Sequence, residues 1–378
     1  MRILIVRHGD PDYEKDSLTP KGFREAELLA DRLCKLDVKA FYCSPLGRAQ
    51  DTARPTLQRL GRSAETLDWL QEFRGKVRRG LKELTAPVVE RHLPFAICFG
   101  NHDRQVGLDN RAQFEIYKEI PGFIGEDTPG VDGVGNCVLE IADGDRPGYL
   151  LYLIDSHSSL KVGYDHVHQN QIDWYRGVRD SYEKQYGHTI PSVVIQHIPV
   201  CEVFDLLTQV KKSTKGAVQG FRTHAKEWFV LNRKRVDKEG FMKESPADPQ
   251  ENSGEFDAFC EKGEVKGLYF GHDHNNAFHG DIRGIDVGYT QGAGFHVYGP
   301  GLDRGVRTIA LHRDGSLSTQ DLRYRDLVGK KLQEPLHFAF FQIMPTNVYD
   351  AISRAVKIFA ALGGIAVVAL LLVLFLGK

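Results

Sequence analysis

The chain has 378 residues, of which 42% are hydrophobic and 26% charged, and this is the composition of an ordinary globular protein. Its length is sufficient for two domains. A formal net charge of −1 argues against nucleic-acid binding, which usually requires a basic excess. The six cysteines include no Cys-x-x-Cys pair, so neither a zinc–cysteine cage nor a disulfide framework is predicted.

The first part of the chain alternates strand and helix patterns, as α/β folds do. An apolar run at residues 3–6 predicts a strand. Apolar residues at helical spacing predict a helix over residues 23–36, with Thr19 and Pro20 near its start. A second strand is predicted at residues 41–43, and a second helix follows it.

The residues that follow the first strand suit phosphoryl transfer. His8 can accept a phosphoryl group on its imidazole, while Arg7 and Arg48 can hold phosphate oxygens through charge-assisted hydrogen bonds. The motifs of this region are Arg7-His8-Gly9, Leu18-Thr19 with Gly22, Ser44-Pro45, Arg48-Ala49 and Thr52-Ala53.

These motifs resemble the histidine phosphatase (phosphoglycerate-mutase-like) superfamily over about the first 75 residues. The resemblance implies that His8 is the phosphorylated histidine, that Arg7 and Arg48 bind phosphate, and that Glu72 is a candidate proton donor. The family also uses a second histidine in a strand-end His-Gly stretch. No strand-end stretch of this kind is predicted later in the sequence, so we expect a partial α/β unit of this family.

Beyond residue 80, short apolar runs ending in Asn or His predict buried strands. Strands are predicted at residues 95–99, 149–154, 193–195, 268–270 and 308–311, and helices at 110–120 and 170–186. Residues 243–255 are polar with two prolines, which predicts a surface loop. His272 and His274 follow one strand at i and i+2, so their imidazoles point the same way and form a reasonable pair of metal ligands.

Three ordered motifs in this region resemble the calcineurin-like metallophosphoesterase family: Gly100-Asn101-His102-Asp103, then Gln196-His197-Ile198-Pro199, then Gly271-His272-Asp273-His274. The resemblance implies a metallophosphoesterase-type αββα sandwich, N-terminally incomplete. It implies that Asn101, His197 and His272 bind one metal ion, that His274 binds a second, and that His102 steadies or protonates the reacting phosphate.

Two cations can clamp a phosphoryl group and activate a water molecule, and nitrogen and oxygen ligands suit Fe, Zn or Mn. However, the family's Asp-x-His and Gly-Asp strand ends should precede Asn101, where the sequence instead resembles the histidine phosphatase superfamily. Gly9-Asp10 has the second form but lies in that first part of the chain. Asp155-Ser156-His157 has the first form but lies later. A site that binds a single metal ion is therefore an alternative to a site that binds two.

The C-terminal residues predict a membrane anchor. Residues 358–376 carry no charge over nineteen positions, which is the length of a membrane-spanning helix. We therefore predict a transmembrane helix at 355–377 and a juxtamembrane linker at 336–354. No export signal is recognised at the start of the sequence, so the globular part is predicted to be cytoplasmic.

The predicted organisation is a histidine-phosphatase-like fragment (1–75), a metallophosphoesterase domain (76–335), the linker and the anchor. The leading hypothesis is a metal-dependent phosphoesterase acting on a phosphate ester. The alternatives are a non-catalytic phosphatase remnant with a scaffold role and a metal-independent histidine phosphatase using His8. The other histidines are expected to have surface or packing roles; they are His92, His166, His168, His188, His224, His279, His296, His312 and His337.

Overall fold

The computed structural model describes residues 4, 6–12, 15–67, 74–346 and 350–357. The chain divides into two compact units: Met1–Pro94 with Arg104–Gly122, and Phe95–Asp103 with Phe123–Lys378. The predicted domain boundaries remain predictions. At the boundary predicted at residue 75, the helix Arg74–Val89 continues without interruption.

The described helices are α1 (Pro20–Leu33), α2 (Gly47–Leu60), α3 (Arg74–Val89), α4 (Asn110–Lys118), α5 (Gln169–Tyr186), α6 (Glu255–Cys260), α7 (Tyr324–Leu327), α8 (Pro335–Ile343) and a short helical segment at 350–357. The described strands are β1 (Pro11–Asp12), β2 (Ser17–Leu18), β3 (Tyr42–Cys43), β4 (Glu65–Thr66), β5 (Cys137–Asp143), β6 (Arg146–Leu153), β7 (Ser192–Gln196), β8 (Leu207–Gln209), β9 (Val218–Gln219), β10 (Trp228–Leu231), β11 (Phe241–Met242), β12 (Val265–Phe270), β13 (Asn276–Ala277), β14 (His279–Ile282), β15 (Ile285–Tyr289), β16 (Gly305–Leu311) and β17 (Leu317–Arg323).

In the first unit, α1 begins at a capped turn and packs against α2. The Thr19 hydroxyl accepts a hydrogen bond from the backbone N–H of Gly22, and Pro20 occupies the first turn. Ala26 and Ala30 are the buried small side chains of α1. Leu4 and Val6 are not in a strand, and the rest of the predicted strand at 3–6 lies outside the described residues.

The second unit is built on a six-stranded sheet in the order β14-β15-β12-β7-β6-β5. The four inner strands are parallel, and the two edge strands pair antiparallel. Val194, Leu268 and Val287 are fully buried at its centre, and each such side chain contributes roughly 1.5–3 kcal/mol to folding. α5 lies against this core through Tyr175 and ends at Gly187, whose φ of 77° closes the helix.

Most of the predicted elements of the second unit are confirmed, since β6, β7, β12, β16 and α5 lie where the apolar patterns placed them. Two predictions are wrong. Phe95 forms an isolated bridge with Phe123, and residues 96–100 adopt no regular secondary structure. Residues 244–247 are buried instead of lying in a surface loop. The mixed α/β class holds, and the finer sandwich architecture remains a prediction.

Among the residues that the structure describes, no helix is long and apolar enough to cross a bilayer. The described helical segment at 350–357 is short and carries Arg354 and Lys357, whereas a span needs about 20 mostly apolar residues. This finding corrects the predicted transmembrane helix at 355–377 and the predicted membrane location. Residues 358–377 of that prediction lie outside the described residues.

Candidate functional site

The carboxyl ends of two parallel strands and one loop bring the predicted metal ligands of the second unit to one edge of the sheet. His197 directly follows β7, and His272 and His274 follow β12. The loop that contains Asn101 reaches the same edge, because the Cys98 thiol lies 3.1 Å from the Ile154 carbonyl beyond β6. In parallel sheets this edge is where ligands usually bind.

Asn101, His197 and His272 are in direct contact. The Nε2 atom of His197 lies 3.0 Å from Oδ1 of Asn101 and 3.3 Å from Nδ1 of His272. The two imidazole rings have centroids 5.1 Å apart and meet at 70°. Two ring nitrogens and one amide oxygen therefore converge, as donors around a single cation would.

Burial keeps both histidines neutral. Burial, together with the smaller effects of the neighbouring His274 and His102, lowers the pKa of His197 to about 4. Burial also holds the pKa of His272 well below its usual range, with His197 as the next cause. Neutral imidazole is the form that binds metals. Within the described structure, the buried Nε2 of His272, the ring nitrogen that does not face His197, has no hydrogen-bond partner.

The His272 backbone has a φ of 58°, in the left-handed region that a side chain rarely adopts. Such strain clusters at ligand sites because the surrounding structure holds it in place. Gly100 lies against the other imidazole: a Cβ there would stand 2.7 Å from Cε1 of His197. Close approach of the Asn101 loop to His197 therefore requires glycine at this position.

His274 is placed beside this group by Tyr298. Its Nδ1 donates to the Tyr298 carbonyl at 3.2 Å, and the two rings stack with centroids 4.6 Å apart. This bond leaves the lone pair of the neutral ring on Nε2. His102 is exposed, and its charge lowers the pKa values of His197, His272 and His274. The roles assigned to these residues remain predictions.

The Asp155 carboxylate, considered as a substitute for the missing aspartate, is already bound to backbone. Its Oδ2 accepts from the N–H of Val134 at 2.8 Å, and its Oδ1 accepts from the N–H of His157 at 2.9 Å. The Asp155 N–H also donates to Oδ1 of Asn136, and the side-chain NH₂ of Gln171 donates to the same Oδ1 and to the Asp155 carbonyl. Asp155 therefore fixes the loop after β6.

Two residues that contact or neighbour the histidines could not be predicted from the sequence motifs. Tyr164 meets the His272 ring edge-on with centroids 4.4 Å apart, and the Arg222 guanidinium lies 4.9 Å from the centre of the Tyr164 ring. Arg222 has a φ of 47°, and its charge also lowers the pKa of His272. Neither residue lies at a strand end, so the pattern that located the histidines could not find them.

In the first unit, His8 lies in the loop before β1. Its Nδ1 is 2.8 Å from the Gly9 carbonyl, and the Gly9 N–H donates to Thr52 Oγ1 at 3.0 Å. Two of the predicted motifs therefore meet. Arg48 is buried, and its Nη1 lies 2.6 Å from Oδ1 of Asp16, an acid outside the recognised motifs.

Arg7 is exposed beside His8. The candidate proton donor Glu72 lies outside the described residues. The structure therefore gives the surroundings of the proposed nucleophile and one of its phosphate-binding arginines, and the roles of His8, Arg7, Arg48 and Glu72 stay predictions.

Comparison with known proteins relates the start of the chain to one phosphatase superfamily. Residues 3–97 match the model of the histidine phosphatase superfamily (branch 1). The chain is 33% identical over 102 residues to the 2,3-bisphosphoglycerate-dependent phosphoglycerate mutase of Thermoplasma acidophilum, which covers 24% of this chain and 51% of that protein.

The chain is also similar to two Arabidopsis thaliana proteins. It is 29% identical over 259 residues to "Probable inactive purple acid phosphatase 14", covering 62% of this chain and 58% of the relative. It is 26% identical over 261 residues to "Probable inactive purple acid phosphatase 29", covering 62% and 60%. Matches this long extend beyond residue 97. The chain spans about three fifths of the length of these relatives.

A candidate 5'-nucleotidase from Staphylococcus aureus matches with a TM-score of 0.32 and 13% identity, over 63% of this chain and 39% of that one. That likeness is too low to carry an argument. The other comparisons show that residues 3–97 are similar to the histidine phosphatase superfamily and that the chain is related to proteins named as probable inactive purple acid phosphatases.

Proposed function

We propose that this protein is a metal-dependent phosphoesterase whose metal site lies at the carboxyl edge of the six-stranded sheet. The observation that carries the proposal is the convergence of three ligand atoms, Oδ1 of Asn101, Nε2 of His197 and Nδ1 of His272. The resemblance of the three motifs around Asn101, His197 and His272 to calcineurin-like metallophosphoesterases supports the same assignment.

The donor set fits a first-row metal ion. Two neutral imidazoles and an amide oxygen without thiolate suit Zn, Fe or Mn. The ion would be held by Nδ1 of His272, Nε2 of His197 and Oδ1 of Asn101, which already lie within 3.3 Å of their neighbours in this group. We assign one ion to Asn101, His197 and His272. We do not extend the site to a second ion, because Asp155 is bound to backbone and cannot bridge two ions in this arrangement.

The bound ion would polarise a phosphoryl oxygen and lower the pKa of a bound water molecule. The chain's own residues would bind and orient the ester. The exposed His102 stands beside the buried pair and is suited to move a proton to the leaving oxygen. Arg222, held over Tyr164 next to His272, supplies a cation that can pair with a phosphate oxygen.

A second candidate function is metal-independent phosphoryl transfer through His8. It is favoured by the match of residues 3–97 to the histidine phosphatase superfamily and by the contact of Gly9 with Thr52. Against it, Arg48 is paired with Asp16, which offsets the positive charge needed for phosphate.

The two functions separate in one assay of the full-length chain, using p-nitrophenyl phosphate with Mn²⁺ or Zn²⁺ and with a chelator. The proposal predicts turnover that needs metal, falls at least about 100-fold in His197→Ala, and is unchanged in His8→Ala. His188→Ala, which alters an exposed histidine, is the matched control. Chelator-insensitive turnover lost in His8→Ala would establish the second function instead. Absence of turnover with every metal would leave a non-catalytic protein and refute both.

A further inference from the structure

A second group of metal-ligating side chains lies outside the site described above. His157, Asp165 and His168 each offer a ligand atom, and these three atoms lie within 4.8 Å of one another. The imidazole rings of His157 and His168 are stacked with centroids 4.1 Å apart. The sequence assigned His168 to surface or packing, and the structure instead places it in a cluster.

Rigid elements hold the three residues together. His157 follows β6 on the loop fixed by Asp155, with a φ of 62°. The N–H of Asp165 donates to the Ser158 carbonyl at 2.9 Å, which closes the loop and brings Asp165 back to His157. His168 precedes the first residue of α5, and its N–H donates to Oε1 of Gln171 at 2.8 Å.

The proton on His157 can be assigned from its neighbours. The side-chain NH₂ of Gln171 donates to Oδ1 of Asn136 at 2.9 Å and to the Asp155 carbonyl at 2.7 Å. Its oxygen is therefore the atom 2.8 Å from Nε2 of His157, and that nitrogen must donate. The lone pair of the neutral ring is then on Nδ1.

His168 is held in the same manner. Its Nδ1 lies 2.7 Å from Oδ2 of Asp132, while its Nε2 faces Oδ1 of Asp165 at 3.4 Å. A histidine that gives one N–H to a carboxylate and turns its other nitrogen to a ligand group has the arrangement found at metal-binding histidines. Each imidazole of the cluster thus has an outer acceptor that orients it.

We infer that His157, Asp165 and His168 form a binding site for a divalent first-row metal ion, of the Zn²⁺ class. Two imidazoles and one carboxylate supply three ligands, and water or an incoming ligand would complete the coordination. This site uses none of Asn101, His197 or His272, so it stands independently of the proposed phosphoesterase activity.

The test is the number of Zn²⁺ ions bound per full-length chain, measured by titration calorimetry and by metal analysis after dialysis. The inference predicts that the double variant His157→Gly, His168→Ser loses one ion relative to the parent. Glycine suits the positive φ at 157, and serine is a good residue to precede a helix, so both changes preserve the backbone. His188→Ser is the matched control and should bind as the parent does.

Two further variants complete the test. Asp132→Asn keeps all three ligands and removes the outer carboxylate, so Zn²⁺ affinity at this site should fall by about 10–100-fold. The variant His197→Ala, His272→Ala should keep the ion held by the His157 cluster, whether or not the phosphoesterase proposal is correct. Equal Zn²⁺ stoichiometry and affinity in the parent and in His157→Gly, His168→Ser, with circular dichroism showing both folded, would overturn the inference.

Discussion

The imidazole of His197 packs so closely against the backbone of Gly100 that a Cβ atom would not fit at that position. A Cβ at position 100 would lie 2.7 Å from its Cε1 and 2.9 Å from each ring nitrogen. Because the contacts to Asn101 and His272 hold the ring, Gly100→Ala should destabilise the protein by about 1–3 kcal/mol. Urea unfolding measures this change.

Gly177 provides the matched control. It lies inside α5 on an exposed face, and a Cβ there meets nothing within 4 Å. Gly177→Ala should therefore stabilise the fold by about 0.5–1 kcal/mol. The same substitution is expected to act with opposite signs at the two positions, and stabilisation by Gly100→Ala would contradict the packing described here.

Glu255 should make folding stability depend on pH. Burial raises the pKa of Glu255 from 4.5 to about 8, and Gln196 approaches one of its carboxylate oxygens at 3.4 Å. Between these pH values the folded chain holds a proton that the unfolded chain releases. The contribution of Glu255 to the free energy of unfolding is therefore greatest below pH 4.5. It falls as the pH rises to 8, with a slope approaching about 1.4 kcal/mol per pH unit.

The variant Glu255→Gln carries no titrating group, so it should lose this contribution to the pH dependence. Unfolding free energies of the two proteins measured from pH 5 to 9 give the comparison, and Glu251→Gln, at an exposed position, is the control. If Glu255→Gln follows the same pH curve as the parent, Glu255 is already ionised in the folded chain at neutral pH.

Among single residues, those that could be predicted follow apolar runs in the sequence. His197 and His272 come after parallel strands, whose carboxyl ends gather at one edge of the sheet, whereas Asn101 comes after an apolar run that forms no strand. Tyr164 and Arg222 lie in loops whose path depends on long-range packing. No local pattern in the sequence distinguishes them from other loop residues.

Among the elements, one of the failed predictions concerns a polar loop that is buried. The segment at 243–255 is polar, yet Glu244 accepts from the N–H of Asn275 at 2.6 Å, and the N–H of Ala247 donates to Asp273 at 3.1 Å. The loop packs against the turn that carries His272 and His274. Its polar groups satisfy that turn, so its composition reflects hydrogen bonding instead of exposure to water.

The start of α1 offers a test of local capping. Thr19 Oγ1 accepts from the Gly22 N–H at 3.1 Å and donates to Asp10 at 2.7 Å. Thr19→Ala should destabilise the first turn by about 1 kcal/mol, so amide hydrogen exchange in residues 20–33 should accelerate about fivefold. Thr19→Ser keeps the hydroxyl and should exchange as the parent does. Similar exchange in the alanine variant and the parent would show that α1 is held by packing alone.

For the molecule as a whole, two phosphatase-related patterns follow one another in the sequence, and each could be recognised from its motifs. The division of the chain into two units could not be predicted from the sequence. Residues 104–122 belong to the first unit, although the preceding residues 95–103 belong to the second. This assignment of segments to units depends on contacts between residues far apart in the chain, whereas sequence patterns report only local periodicity and strand ends.

The two units should respond differently to metal. A ligand stabilises the cooperative unit that binds it, by about 2.7 kcal/mol at 100 times its dissociation constant. The residues proposed here to bind metal belong to the second unit. Zn²⁺ should therefore slow amide exchange in β7 and β12 and leave α1 and α2 unchanged. The slowing next to His197 and His272 should disappear in the His197→Ala, His272→Ala variant. Equal slowing in α1 and α2 would mean that the whole chain unfolds as one cooperative unit, because metal bound in one part would then stabilise every amide.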